Sequence, residues 1–250
     1  MSSHSLPIFL PGDPFSVGQW ATHPDKKLIV FVHGFGGDAI ATWNDMQEML
    51  PAIPEVSGCD LAYFSYESLR RRARPSALTL IGFIDGIIKE RGEYDRIVIA
   101  GHSLGGLIAR LAMVQAVASA KDWADSVRLV LFAPADCGAS IQELVAGALG
   151  TSFLPFLYHA AQLAIPSLQD LKPGSRILNE LKATYAAQDP LVTPLRARVI
   201  HGDTDSVVDP GPLDIRDDHL IPSCPGRGHF SVCKPKTAFL LPIEEVVRAL

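Results

Sequence analysis

The sequence contains no G-x-x-x-x-G-K-[ST] run, no C-x-x-C pair, no internal repeat and no low-complexity segment. The first absence removes a P-loop, and without another glycine fingerprint no nucleotide or other cofactor is expected. The four cysteines, Cys59, Cys137, Cys224 and Cys233, lack redox or metal spacing. Free thiols in a cytoplasmic protein are therefore expected, with a Cys224–Cys233 bridge as the minority alternative. A basic excess is missing too: 22 Lys and Arg against 27 Asp and Glu give a net charge of −5, which argues against a nucleic-acid partner. Residues 1–11 lack Lys and Arg, and prolines break their short apolar run, so they do not read as a signal peptide. No histidine/carboxylate spacing suggests a metal site, and no feature specifies an oligomer.

What is present suits one large α/β domain over residues 1–250, with 48% hydrophobic and 20% charged residues. Apolar runs at 28–32, 61–66, 97–100, 127–132 and 197–200 predict strands. Between them, helical spacing covers 76–91, stopped by Gly92, and 104 to about 120. A final helix is expected over 243–250, begun or kinked by Pro242, and residues 1–25 read as an irregular lead-in or edge hairpin. This alternation predicts a mostly parallel central sheet with helices on both faces.

The run Arg96-Ile-Val-Ile-Ala-Gly-His-Ser-Leu-Gly-Gly-Leu107 places a hydroxyl between a buried strand and a helix. A nucleophile on so sharp a turn needs small residues two positions either side, and Gly101 and Gly105 supply them. The helix N-terminus offers free N–H groups and a positive dipole end to a developing oxyanion. Ser103 is the candidate nucleophile; an ordinary glycine-rich connection is the plainer alternative.

A serine hydroxyl needs a base, and the base an acid, and on such a sheet both follow the nucleophile in loops after later strands. Asp203, Asp205 and Asp209 follow the strand at 197–200. Asp205 is favoured because Ser-Val-Val after it can tuck back into the core, whereas Asp203 suits capping the turn. Asp136, after the preceding strand, is the outside candidate. For the base, His229 in the glycine-rich Pro225-Gly-Arg-Gly-His229 loop is favoured over His219, which reads as the start of a last short strand. The oxyanion donors are expected to be the N–H of Leu104 and that of Phe35, in His33-Gly-Phe-Gly-Gly37. His33 precedes the nucleophile and is read as structural. Arg70, Arg71, Arg72 and Arg74 are read as a solvated cluster, with recognition of an acidic or phosphorylated head group as the alternative.

From 144 to 169 the chain has no Asp, Glu, Lys or Arg, which invites a membrane-span reading. Gly147, Gly150, Pro155, His159, Gln162 and Pro166 interrupt it, and a span would strand the later candidates across a membrane from Ser103. No transmembrane segment is expected. Residues 139–190 are read instead as an inserted helical cap with an apolar face over the site, or else helices packed on the sheet edge.

With these residues in view the chain resembles the α/β-hydrolase superfamily, and is most similar to lipase-like serine esterases and the GPI-inositol-deacylase-like group. The likeness rests on Val32-His-Gly-Phe-Gly-Gly-Asp38 with Thr42-Trp43, Gly101-His-Ser-Leu-Gly-Gly106, Pro134-Ala-Asp-Cys-Gly-Ala-Ser140 and His229-Phe-Ser-Val-Cys-Lys-Pro235. The third resembles the T-P-H-x-G-S run of those lipases, with Asp136 where the family usually has His. The resemblance spans roughly 26–235 and implies an α/β-hydrolase fold. It also implies a serine hydrolase that cleaves carboxylic esters through an acyl-enzyme on Ser103, His229 and Asp205. The uncharged cap favours a lipophilic acyl chain, a small-molecule or lipid ester as substrate, and transient contact with a membrane surface. An acyltransferase on the same three residues, or a non-catalytic fold binding a lipid or partner, are the alternatives.

Overall fold

Strands that are apolar over most of their length are buried on both faces, and five such runs build the centre of this molecule. The structure, a computed structural model, describes residues 4–5, 7–10, 13–149, 164–187, 193–209, 217–219 and 224–250. Its strands are β1 (Ile8–Leu10), β2 (Asp13–Gln19), β3 (Lys27–Val32), β4 (Cys59–Phe64), β5 (Arg96–His102), β6 (Val127–Phe132), β7 (Ala197–Ile200) and β8 (Asp218–His219). They form one sheet in the order β1-β2-β4-β3-β5-β6-β7-β8. From β4 to β8 every pairing is parallel, while β2 runs antiparallel to β4, and β1 to β2. The lead-in is thus the edge hairpin, and the strand expected at 61–66 begins at Cys59, level with Lys27 of β3. His219 lies in β8, opposite Val199.

The helices are α1 (Met46–Met49), α2 (Ala73–Arg91), α3 (Leu104–Ala118), α4 (Ile141–Leu149), α5 (Pro166–Asp170), α6 (Arg176–Ala187) and α7 (Leu241–Arg248). A helix apolar on all sides must be enclosed. Helix α3 is that helix: Leu104, Leu107, Ile108 and Met113 have no exposed surface. Each such side chain contributes roughly 1.5–3 kcal/mol. Its first turn lies so close to β3 that a Cβ on Gly105 would collide with the Val32 and His33 carbonyl oxygens. Helix α7 starts with Pro242 in its first turn, where the missing N–H costs no hydrogen bond.

Helix α2 begins at Ala73, ahead of the expected Ser76, because its N-terminus is capped from elsewhere in the chain. Asp170, at the end of α5, accepts the Ala73 N–H at 2.8 Å and pairs with Arg72 at 3.0 Å. Arg74 pairs with Glu180 of α6 at 2.7 Å, Arg70 with Glu67 at 3.3 Å, and Arg71 donates to Thr79 Oγ1 at 3.1 Å. The arginine cluster is exposed, yet each member has a partner in this chain. Of the segment 139–190, residues 150–163 and 188–190 lie outside the described residues. Among the described residues no helix is long and apolar enough to cross a membrane.

All four cysteines are free thiols. Burial pushes Cys59 and Cys233 up to about 12, and Cys137 and Cys224 to about 11.

Candidate active site

Strand β5 ends and α3 begins at one residue, so Ser103 must turn the chain by itself. It does so at φ 54° and ψ −120°, a conformation that costs a non-glycine residue of order 1–3 kcal/mol. Its backbone is held from both sides: Ser103 N–H donates to the Phe132 carbonyl at 3.0 Å, and the Ser103 carbonyl accepts Ala135 N–H at 3.1 Å and Gly106 N–H at 3.0 Å. The serine side chain does not cap α3. Instead Ser103 Oγ lies 2.8 Å from His229 Nε2.

His229 Nδ1 is 3.0 Å from Asp205 Oδ2. A ring nitrogen facing a carboxylate carries the proton, which leaves Nε2 with a lone pair for the serine O–H. The other Asp205 oxygen accepts the Val207 and Val208 N–H groups at 2.8 and 3.1 Å. Burial pushes the Asp205 carboxyl up, but the hydrogen bond and charge of His229 and the two amides outweigh it, leaving a pKa below the ordinary value. Val207 and Val208 are tucked into the core at 4% and 3% exposure. The turn is therefore capped by Asp205 itself; the Asp203 side chain is exposed, as is that of Asp209.

Asp136 is engaged elsewhere. It accepts Arg110 Nε at 2.6 Å, while Arg110 Nη2 donates to Asp217 at 2.6 Å, all within the interior. The carboxyl of Asp136 is pushed up by burial and by Asp217, against the pull of Arg110. Arg110 is the one charged residue of α3, a solitary charge whose partners the sequence reading did not identify.

The His33–Gly37 loop lies directly against the serine: a Cβ on Gly34 would sit 2.9 Å from His102 Nδ1 and 3.0 Å from Ser103 Cβ. His33 fixes this loop. Its Nδ1–H donates to the Gly34 carbonyl at 2.8 Å, its ring stacks on Tyr66 at 4.3 Å, and Tyr66 OH donates to the His33 carbonyl at 2.7 Å. Burial lowers the His33 pKa to about 4, so the ring is neutral at pH 7. Gly36 N–H donates to Ser68 Oγ at 3.0 Å. Among the described residues no acceptor takes the N–H of Phe35 or of Leu104.

Sequence reasoning missed His102. Its Nε2–H donates to the His229 carbonyl at 2.8 Å, so the residue before the serine holds the backbone of the histidine that reaches it. Its Nδ1 is buried without a partner, and burial, with His229 beside it, lowers the pKa to about 3.

An open cleft of about 410 Å³ adjoins His229, lined by Ala146, Gly147, Val207 and Phe230 among others. Helix α4 forms one wall, packed so tightly on Phe230 that Gly147 has no room for a side chain. A larger groove of about 830 Å³ lies between β2 and α2 and is lined by none of Ser103, Asp205 and His229. Among the described residues no His, Cys, Asp and Glu cluster could hold a metal ion.

Residues 22–134 match the family described as "Putative serine esterase (DUF676)". That stretch carries the His33–Gly37 loop and Ser103, and ends before Asp205 and His229. No curated protein matches the sequence. Among solved structures, Bacillus licheniformis lipase BlEst2 superposes with a TM-score of 0.64 at 17% identity, covering 90% of this chain and 94% of that one. Esterase B from Lactobacillus rhamnosis gives 0.61 at 15% identity, covering 98% and 83%. Phospholipase PlaB from Legionella pneumophila gives 0.54 at 21% identity over 71% of this chain, which spans 39% of that one. The chain has the α/β-hydrolase fold, and its residues 22–134 match a family of putative serine esterases.

Proposed function

We propose that the protein hydrolyses carboxylic esters of lipophilic acyl groups through an acyl-enzyme on Ser103. In this reading His229 takes the proton of Ser103 Oγ as the oxygen attacks the ester carbonyl carbon. The tetrahedral oxyanion is held by the Phe35 and Leu104 N–H groups. Collapse expels the alcohol, which takes the proton back from His229. Water, deprotonated by His229, then releases the acid and regenerates the serine, with Asp205 holding the ring in the required tautomer throughout. No cofactor or metal takes part.

The observation that carries this reading is one imidazole within hydrogen-bond reach of both Ser103 Oγ, at 2.8 Å, and Asp205, at 3.0 Å. Ala146, Gly147, Val207 and Phe230 give the cleft beside His229 an apolar share that suits an acyl chain, with Glu143, Thr204, Ser206 and Ser231 also in its lining. Helix α4 is assigned to a cap on this cleft, the start of the proposed cap 139–190, of which residues 150–163 and 188–190 lie outside the described residues. The free thiols suit a reducing, cytoplasmic setting.

A fluorophosphonate probe tests the chemistry: the wild-type protein should label at Ser103 and Ser103→Ala should not. An unlabelled wild type, or undiminished labelling of Ser103→Ala, would sink the proposal. A p-nitrophenyl ester series tests the substrate class: kcat/KM should rise from acetate towards medium chains, and a fall from acetate onward would remove the lipophilic preference.

A further inference from the structure

Four arginines come together on one face of the sheet at the end of the strands opposite Ser103. Side chains two apart on a strand share a face. Arg96 therefore aligns with Val98, which is paired with Arg128; Arg128 aligns with Val130, which is paired with Arg198. Arg196 shares the parity of Arg198. Helix α7 covers this face and adds Arg248. All five arginines are among the residues that line a cleft of about 370 Å³, with Leu129, Ala197, Ala249 and Leu250.

Arg198 has Glu245 beside it and Asp218 as its register partner, whereas Arg96, Arg128 and Arg196 form no ion pair among the described residues. Glu245 pairs with Arg198 and, at 3.1 Å, with Arg248. Arg128 donates to the Val127 and Asp125 carbonyls at 2.7 and 3.2 Å, which carry no formal charge. Burial, then the charge of Arg96, holds the Arg128 guanidinium below its ordinary pKa against the opposing charge of Asp125. Val98 stands opposite Arg128 and Val130 opposite Arg198, so the strand arginines are diagonal neighbours on one face rather than directly opposed pairs. The missing component is an anion, and a fork of planar donors matches phosphate oxygens in pairs.

The site's position narrows the ligand. Strand β5 runs from Arg96 to His102, which at ~3.3 Å per residue puts the cleft roughly 20 Å from the serine. Docking this edge on a membrane would hold the ester site away from the bilayer, and the arginines line a hollow rather than a flat face.

We propose that this cleft binds a small soluble ligand through a phosphoryl or pyrophosphoryl group. The site is separate from the ester-cleaving residues and does not depend on their assignment. Calorimetric titration of the full chain with inorganic pyrophosphate, at constant ionic strength, should give saturable one-to-one binding. Losing two charge-assisted partners in Arg96→Gln/Arg128→Gln should weaken it by about tenfold or more. That variant should keep fluorophosphonate labelling of Ser103. Arg196→Gln, at an exposed position ahead of β7, should also weaken binding and decides the matter if the double variant does not fold. Absent or non-saturable heat, or an affinity unchanged in the folded variants, overturns the proposal. So does arginine-dependent binding to phosphatidylglycerol vesicles without binding of pyrophosphate, which would make the edge a membrane contact.

Discussion

Asp205 and Asp136 occupy the two loops from which an acid could serve the histidine, and their partners separate them. Asp205 meets the His229 ring; Asp136 is spent on Arg110. Asp205→Asn should keep the turn, because an amide oxygen still accepts the Val207 and Val208 N–H groups, but it loses control of the tautomer. Its kcat should fall by about 10⁴ with little change in melting temperature. Asp136→Asn should leave kcat within about threefold, since a buried partner of Arg110 does not touch the reacting atoms. The reverse ranking in an esterase assay would exchange the roles. The histidines make a second residue-scale prediction. His33 and His102 titrate at about 4 and 3, against 6.5 in a free chain. Between those values the unfolded chain binds more protons, so stability is complete above about pH 6.5 and falls as pH drops towards 4. His33 alone accounts for roughly 3 kcal/mol of that loss. Urea titrations from pH 7.5 to 4.5 should show falling midpoints; a flat profile would mean that these rings are protonated without penalty. Asp205, with its lowered pKa, adds its own loss only below about pH 4, so the windows separate.

At the scale of elements, what could be read was what periodicity controls. The apolar runs of β3, β5, β6 and β7 and the glycine after α2 carry their signals within a few residues. The start of α2 does not, because its cap is Asp170, 97 positions along the chain from Ala73. The same contact shows why Arg72 and Arg74 are not merely solvated: α5 and α6 use them as anchors. Asp170→Ala should therefore cost about 1–2 kcal/mol and fray the first turn of α2. Hydrogen exchange should quicken at residues 73–76 while the middle of the helix stays protected. Unchanged exchange there would show that the cap contributes nothing. The glycines of the turn were legible as small residues, but the reason for Gly105 is the carbonyl row of β3 packed on it, which only the assembled sheet supplies.

For the whole molecule, the order of the candidate residues along the chain was legible because a parallel sheet brings the ends of successive strands to one edge. Ser103, Asp205 and His229 lie 102 and 24 positions apart and still meet. What could not be read were the pairings that join distant elements through charge. Arg110 ties α3 to the loop after β6 and to the residue before β8, with both its carboxylates buried. Removing the cation should be far worse than removing either anion: Arg110→Met leaves two buried carboxylates and should cost about 3–5 kcal/mol. A denaturant midpoint within error of wild type would show that the network is stability-neutral.

Closing the contact between Ser103 and His229 requires 126 intervening steps of chain. On a ribosome the serine, its strand and its helix therefore emerge long before the imidazole that reaches its hydroxyl. Until residue 229 is made, the growing polypeptide displays this alcohol without the base proposed for it, so on that mechanism it cannot attack esters while it is being synthesised.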